Sequence, residues 1–248
     1  IVFKPIYECF IVFDNTIHID IDHAEYGKML VPDYWCNGDA RLILEELLKH
    51  AERGDTDEWV SQVKEWRKDH PLKFDKISAG LTMQEVLFEL DEQTNGDAII
   101  STDVGQHQMW AAQFCRTNRG MDWLSSGGAG TMGFGFPAAI GAQFGRPDDL
   151  VVSVSGDGGF QMTLFELSTA AIHKLPLKIL VLNNSYLGMV RQWQEFFYSG
   201  RYSHSYMEAL PDFVKMAESY GHEGIRIEKS DDVENALKEA LSMKDKTV

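Results

Sequence analysis

The chain has 248 residues, 44% of them hydrophobic and 11% aromatic, which supports a folded core and excludes a disordered or fibrous polymer. Its 23 basic and 38 acidic side chains leave a formal charge of −15, the wrong sign for gripping nucleic acid or an anionic membrane. No apolar run reaches the roughly 18 residues needed to cross a bilayer. Three widely spaced cysteines, Cys9, Cys36 and Cys115, make neither a disulfide framework nor a zinc motif, which suits a reducing, cytoplasmic setting.

Residues 1–13 are apolar but carry Lys4 and Glu8. Without a basic leader or a small-residue cleavage site they do not read as a signal peptide. The absence of an initiator Met makes the start look cut from a longer chain. Residues 16–22 alternate apolar and polar, the period of a half-buried strand. Asp39 is placed to cap a helix running to Glu52, with Leu42, Leu44, Leu47 and Leu48 as its apolar stripe. Residues 1–52 therefore read as the end of one α/β domain. Residues 53–79 form a charged linker holding an exposed helix with Trp59, Val63 and Trp66, and ending near Pro71.

A second domain spans residues 80–248. Thr82, with Glu85 three residues on, predicts a capping box. The strand Ala98–Thr102, a polar turn at Asp103–Gln108 and a Gly-rich segment at 127–145 follow. Leu150–Ser155 is an apolar strand running into Gly156-Asp157-Gly158-Gly159. A helix over 162–174 is apolar on most sides and is expected to be buried. A second apolar strand, Leu177–Leu182, ends in Asn183-Asn184. Strand, helix, strand with such apolar strands is a parallel βαβ unit covered on both faces. A last helix spans Asp231–Met243, and the domain is expected to be truncated at its end.

Both polar clusters sit at carboxyl ends of strands, where ligands of open α/β sheets bind. Asp157 offers an anionic oxygen, and Asn184, 27 residues later, offers an amide oxygen. Oxygen ligands without His or Cys suit Mg²⁺ or Ca²⁺ rather than zinc. One carboxylate is too little charge for an all-protein cage, so phosphate oxygens and water are expected to complete it. The neighbouring glycines and the following helix N-terminus suit a phosphate. The deduction is a metal–diphosphate site, although Gly-Asp-Gly alone is more often a simple turn.

Gly156-Asp157-Gly158, then 24 residues, then Asn183-Asn184 resembles the signature of thiamine-diphosphate-dependent enzymes. Three further segments narrow the resemblance: Val104-Gly105-Gln106-His107-Gln108-Met109-Trp110, Gly130-Thr131-Met132-Gly133, and Gly188-Met189-Val190 with Gln192-Trp193. Together they are similar to the catalytic subunit of acetolactate synthase, from about residue 16 onward. The implied fold is a parallel-sheet thiamine-diphosphate-binding domain preceded by the end of a second α/β, central domain.

The resemblance implies residue roles. Mg²⁺ would be held by the side chains of Asp157 and Asn184 and the backbone carbonyl of Tyr186. Gly105, Gln106 and His107 would contact the diphosphate, together with Gly156, Gly158, Gly159, Leu187 and Gly188 around it. Gly130 would face the aminopyrimidine and Met132 would support the bent cofactor. Met189 and Trp193 would line the substrate pocket, although a Met and a Trp four apart also fit a helix packing stripe. The implied transferase decarboxylates pyruvate and passes the acetaldehyde unit to a second 2-oxo acid, in branched-chain amino acid biosynthesis.

The activating glutamate of that family belongs to a domain this chain lacks, so no catalytic residue is expected here and the fragment is expected to be inactive alone. FAD is implied for the intact enzyme only, with Asp20 or Asp22 as a possible contact. A homo-oligomer and a regulatory subunit are implied as partners, and nucleic acid and membrane are not. Two alternatives stand beside this: a sibling enzyme (catabolic acetolactate synthase, glyoxylate carboligase or pyruvate oxidase), or a non-catalytic cofactor-binding module.

Overall fold

The computed structural model describes residues 16–77 and 80–248. The apolar start of the chain and Cys9 lie outside them. The chain divides into two compact units, Ile1–Pro71 and Leu72–Val248.

In the first unit, β1 (Ile17–Asp20) pairs in parallel with β2 (Tyr34–Asn37). Asp39 caps the helix Ala40–Leu48 by accepting from the amides of Arg41 and Leu42. This helix stops short of Glu52, and Leu42, Leu44, Leu47 and Leu48 are all exposed. A second helix, Asp57–Asp69, stacks Trp59 edge-on against Trp66, with ring centroids 5.5 Å apart.

The second unit is built on a four-stranded, all-parallel sheet in the order β4-β3-β5-β6. The strands are β3 (Ile99–Thr102), β4 (Trp123–Ser125), β5 (Val151–Gly156) and β6 (Lys178–Leu182). Every residue of β3 and β5 is buried, as expected for strands covered on both faces. Ile100, Val152 and Val154 point to one face, against Val86, Leu87 and Leu90 of the helix Met83–Thr94 and Val233 and Leu237 of the helix Val233–Ser242. Ile99 and Val151 point to the other, against Phe136, Ala139 and Ile140 of the helix Gly135–Gly145 and Leu167 and Ala170 of the helix Leu167–Ile172.

The helix Gly135–Gly145 rides unusually close to the sheet. Ser101 beneath it donates to the carbonyl of Gly135 at 2.7 Å. A Cβ at Gly135 would stand 2.5 Å from the amide nitrogen of Asp103, so only glycine fits this approach.

Three expectations change in the structure. Thr82 caps its helix, its hydroxyl accepting from the Glu85 amide at 3.3 Å. The Glu85 carboxylate does not return to Thr82; it meets Lys76 Nζ at 2.7 Å and Ser230 Oγ at 2.9 Å, so the capping box is half formed. Thr82→Ala is expected to lower unfolding free energy by about 1 kcal/mol, read as a shifted urea midpoint with unchanged slope. The polar turn after β3 is shorter than Asp103–Gln108, because a helix already begins at Gln106 and runs to Phe114. The helix expected over 162–174 begins instead at Asp157. It runs Asp157–Thr163, tightens to a 3₁₀ turn at Leu164–Glu166, and resumes at Leu167–Ile172. It is not buried all round either, since Met162, Phe165 and Ile172 are exposed.

Candidate diphosphate and metal site

The chain steps from β3 to β4 on one side, then crosses to β5 on the other side of β3. The reversal opens a crevice beyond the carboxyl ends of β3 and β5, the standard ligand position in such sheets. Asp103 follows β3, Asp157 follows β5 and Asn183-Asn184 follow β6. β5 and β6 are direct neighbours, with Gly156 paired to Leu182, so the clusters bearing Asp157 and Asn184 lie side by side.

A hydrogen bond joins them. The Ser185 amide donates to Asp157 Oδ2 at 2.7 Å, and the Gly158 amide donates to Oδ1 at 2.8 Å. Asp157 is 2% exposed, and its burial pushes the carboxyl up from its ordinary range despite these amides. The hydrogen bonds that hold its charged form come from neutral amides. Asn184 is exposed, and its Oδ1 accepts from the Tyr186 amide at 3.0 Å. This turn fixes the direction of the backbone at residues 184–186. Tyr186 is held again by an antiparallel bridge to Tyr206, and Arg191 lies over its ring at 4.6 Å. The tyrosine ring packs against Tyr206 and Arg191.

His107 lies between the chain segments that follow β3 and end β5, against Gly105 and Gly156. Its ring packs so tightly that a Cβ at Gly105 or Gly156 would stand 2.8 or 2.9 Å from it. The residue is 8% exposed and Nε2 has no hydrogen-bond partner. Burial pulls its pKa down to about 4, against a backbone hydrogen bond with Asp103 that works the other way. A neutral imidazole with an unpartnered buried nitrogen is suited to a ligand atom.

Gln106, next to it, donates to Gln192 Oε1 at 2.8 Å, which ties the end of β3 to the helix Gly188–Phe197. Gln106 Oε1 also occupies the space where Gly188 would carry a Cβ. Leu187 packs over Gly158, with Cδ2 2.9 Å from where a Cβ would stand. Gly159 lies equally close to Asp103. Met189 and Trp193 share a groove of about 480 Å³ with Val190, Gln194, Tyr198 and Arg201. Met189 is half-buried in it, whereas Trp193 is exposed.

Gly130 sits in an exposed loop in the left-handed region, at φ 64°. Met132 follows, half-buried, and Gly133 is pinned by Asp103. Asp103 is the residue the sequence does not single out. It is fully buried, and burial pushes its carboxyl upward. Its oxygens accept from the Gly133 amide at 2.9 and 3.0 Å and from the Val104 amide at 2.6 Å.

Asp20 and Asp22 belong to the first unit. Asp20 Oδ1 accepts from the Asp22 amide, and Asp22 Oδ1 accepts from the Ala24 amide, both at 2.8 Å. Among the described residues no three His, Cys, Asp or Glu side chains cluster as a metal cage, and no helix is long and apolar enough to cross a membrane.

The fold and the crevice define a parallel α/β domain shaped to hold a ligand at the switch between β3 and β5. Residues 103–248 match the model of the thiamine pyrophosphate enzyme, C-terminal TPP binding domain, and the chain belongs to that family. It is similar to acetolactate synthase large subunits. Identity is 46% over 234 residues to the isozyme 3 large subunit of Escherichia coli (strain K12), covering 92% of this chain and 41% of that one. It is 45% over 240 residues to the Haemophilus influenzae large subunit, covering 94% and 42%, and 45% over 236 residues to that of Cyanidium caldarium, covering 92% and 40%. The chain spans about two fifths of the length of these relatives.

Proposed function

We propose that this chain is the diphosphate-binding portion of an acetolactate synthase large subunit. The whole enzyme would decarboxylate pyruvate and pass the acetaldehyde unit to a second 2-oxo acid, in branched-chain amino acid biosynthesis. The observation that supports this most is the hydrogen bond from the Ser185 amide to the Asp157 carboxylate, which makes one donor set of two strand ends.

The residues fit a Mg²⁺–diphosphate group. The buried Asp157 carboxylate suits a cation, and the unpartnered Nε2 of His107 can donate to a phosphate oxygen once it carries a proton. Asp157, Asn184 and the Tyr186 carbonyl would hold Mg²⁺. Gly105, Gln106, His107 and Gly156–Gly159 would hold the diphosphate, flanked by Leu187 and Gly188. Gly130 and Met132 would take the aminopyrimidine end, and Met189 with Trp193 would line the substrate groove. Thiamine diphosphate supplies the nucleophilic carbon on which a 2-oxo acid loses CO₂. The chain's own groups anchor, orient and exclude water. FAD, with Asp20 or Asp22 as a contact, belongs to the intact enzyme in this reading. So do a homo-oligomer, a regulatory subunit and a cytoplasmic location.

The test is calorimetric titration of the chain with thiamine diphosphate. Saturable binding that requires Mg²⁺ and disappears with a chelator is expected, with thiamine monophosphate at least tenfold weaker. Failure to bind at millimolar cofactor with Mg²⁺ present would overturn the assignment.

A further inference from the structure

We propose that Asp103 is a positioning residue that fixes the loop Gly130–Gly133, and with it Met132, at the end of β3. The proposal rests on the reading above for its ligand and on the loop geometry for the rest.

The Asp103 carboxylate is fully buried, and both of its oxygens accept from one amide, that of Gly133. The helix Gly135–Gly145 has no side-chain cap of its own. Asp103, from the end of β3, reaches the first helical amide, that of Gly135, and the Gly133 amide two residues before it. A carboxylate at a helix N-terminus is favoured by the helix dipole and satisfies amides that otherwise lack partners.

Three glycines shape its socket. Gly133 donates. A Cβ at Gly135 would meet the Asp103 backbone at 2.5 Å, and a Cβ at Gly159 would meet its Cγ at 2.8 Å. One side chain therefore touches the turn after β3, the loop carrying Gly130 and Met132, and the helix carrying Asp157. Its hydrogen bonds are unevenly spread, however. Beyond its own turn they go to the Gly133 amide and the Gly135 amide just after it, whereas Asp157 is held separately by Gly158 and Ser185. The Gly133 loop has further ties, from Thr163 Oγ1 to the Gly133 carbonyl at 3.2 Å and from the Thr131 amide to Ser126 Oγ at 3.0 Å. Neither orients the amide that follows Met132.

Asp103→Asn keeps the shape but removes the charge and one acceptor. Two measurements decide. In the ligand-free chain, exchange of the Gly133 amide is expected to quicken at least tenfold, with the Gly158 and Ser185 amides unchanged. In titrations with Mg²⁺ present, affinity for thiamine diphosphate is expected to fall about tenfold, with affinity for inorganic diphosphate held within twofold. A merely structural role would move all three amides, or both ligands, together, and that result overturns the proposal. So does an unchanged Gly133 amide. Wild-type chain that binds no thiamine diphosphate would sink the proposed function and leave the exchange measurement to decide on Asp103. Should the Asn variant fail to fold, Asp103→Ser is read in the same way.

Discussion

Asp157→Asn is expected to weaken Mg²⁺-dependent binding of thiamine diphosphate by at least about a hundredfold, or roughly 3 kcal/mol. The carboxylate is the one anionic side chain in the proposed donor set, since Asn184 and the Tyr186 carbonyl are neutral. A hard divalent ion between a protein and a diphosphate depends on that charge, and a neutral amide is a poor replacement. The substitution also disturbs the local turn. Asp157 accepts from Gly158 and Ser185 through different oxygens. An Asn side chain turns a donor toward one of those amides, leaving a buried N–H unsatisfied at a cost of about 1–3 kcal/mol. Stability and affinity are therefore measured side by side, well below the melting temperature of both proteins. Asn184→Ala provides the comparison. It removes a neutral, exposed oxygen and one turn hydrogen bond, so a loss of about tenfold is expected. If Asp157→Asn binds within threefold of wild type, Asp157 is not a metal ligand.

The side-by-side placement of the two strand ends was legible because its pattern is local. Apolar strands that end in Gly-Asp-Gly and Asn-Asn point to a sheet edge, and the structure pairs Gly156 with Leu182 as that reading requires. The helix after Gly156 was misplaced because Gly158 and Gly159 are poor helix formers, which argues for a later start. Tertiary contacts override that propensity: the helix opens at Asp157, and Asp103 fills the space beside Gly159. Asp103 itself was invisible because an Asp before Val-Gly reads as any turn residue. Its partner amide lies 30 residues downstream, and no periodicity links the two. The leucines of Ala40–Leu48 mark the opposite limit. Their spacing suggests an apolar stripe, but no spacing says what covers it, and all four are exposed.

Lowering the pH from 7 to 4 is expected to cost this chain about 3 kcal/mol through His107 alone. Burial holds its pKa at about 4, against an ordinary 6.5. The sign follows from proton counting. Between those two values the unfolded chain binds a proton that the folded chain refuses, so stability rises with pH across the window and is lost as pH falls. Each unit of difference is worth about 1.4 kcal/mol, which gives the total. The buried carboxyls of Asp103 and Asp157 act in the opposite direction. Their pKa values are pushed up, so the folded state holds protons that the unfolded state has released, and their share of stability grows on acidification. The His107 contribution is therefore isolated as the difference between wild type and His107→Gln in denaturant unfolding at each pH. That difference is expected to shrink steadily between pH 6.5 and 4, and two parallel curves would refute it. A bound anion changes the balance. With Mg²⁺ and diphosphate beside the unpartnered Nε2, the protonated ring gains an acceptor, so its pKa is expected to climb back toward 6.5. Proton NMR titration of the ring, with and without Mg²⁺–diphosphate, reads that shift directly, and an unmoved titration would place the diphosphate away from His107.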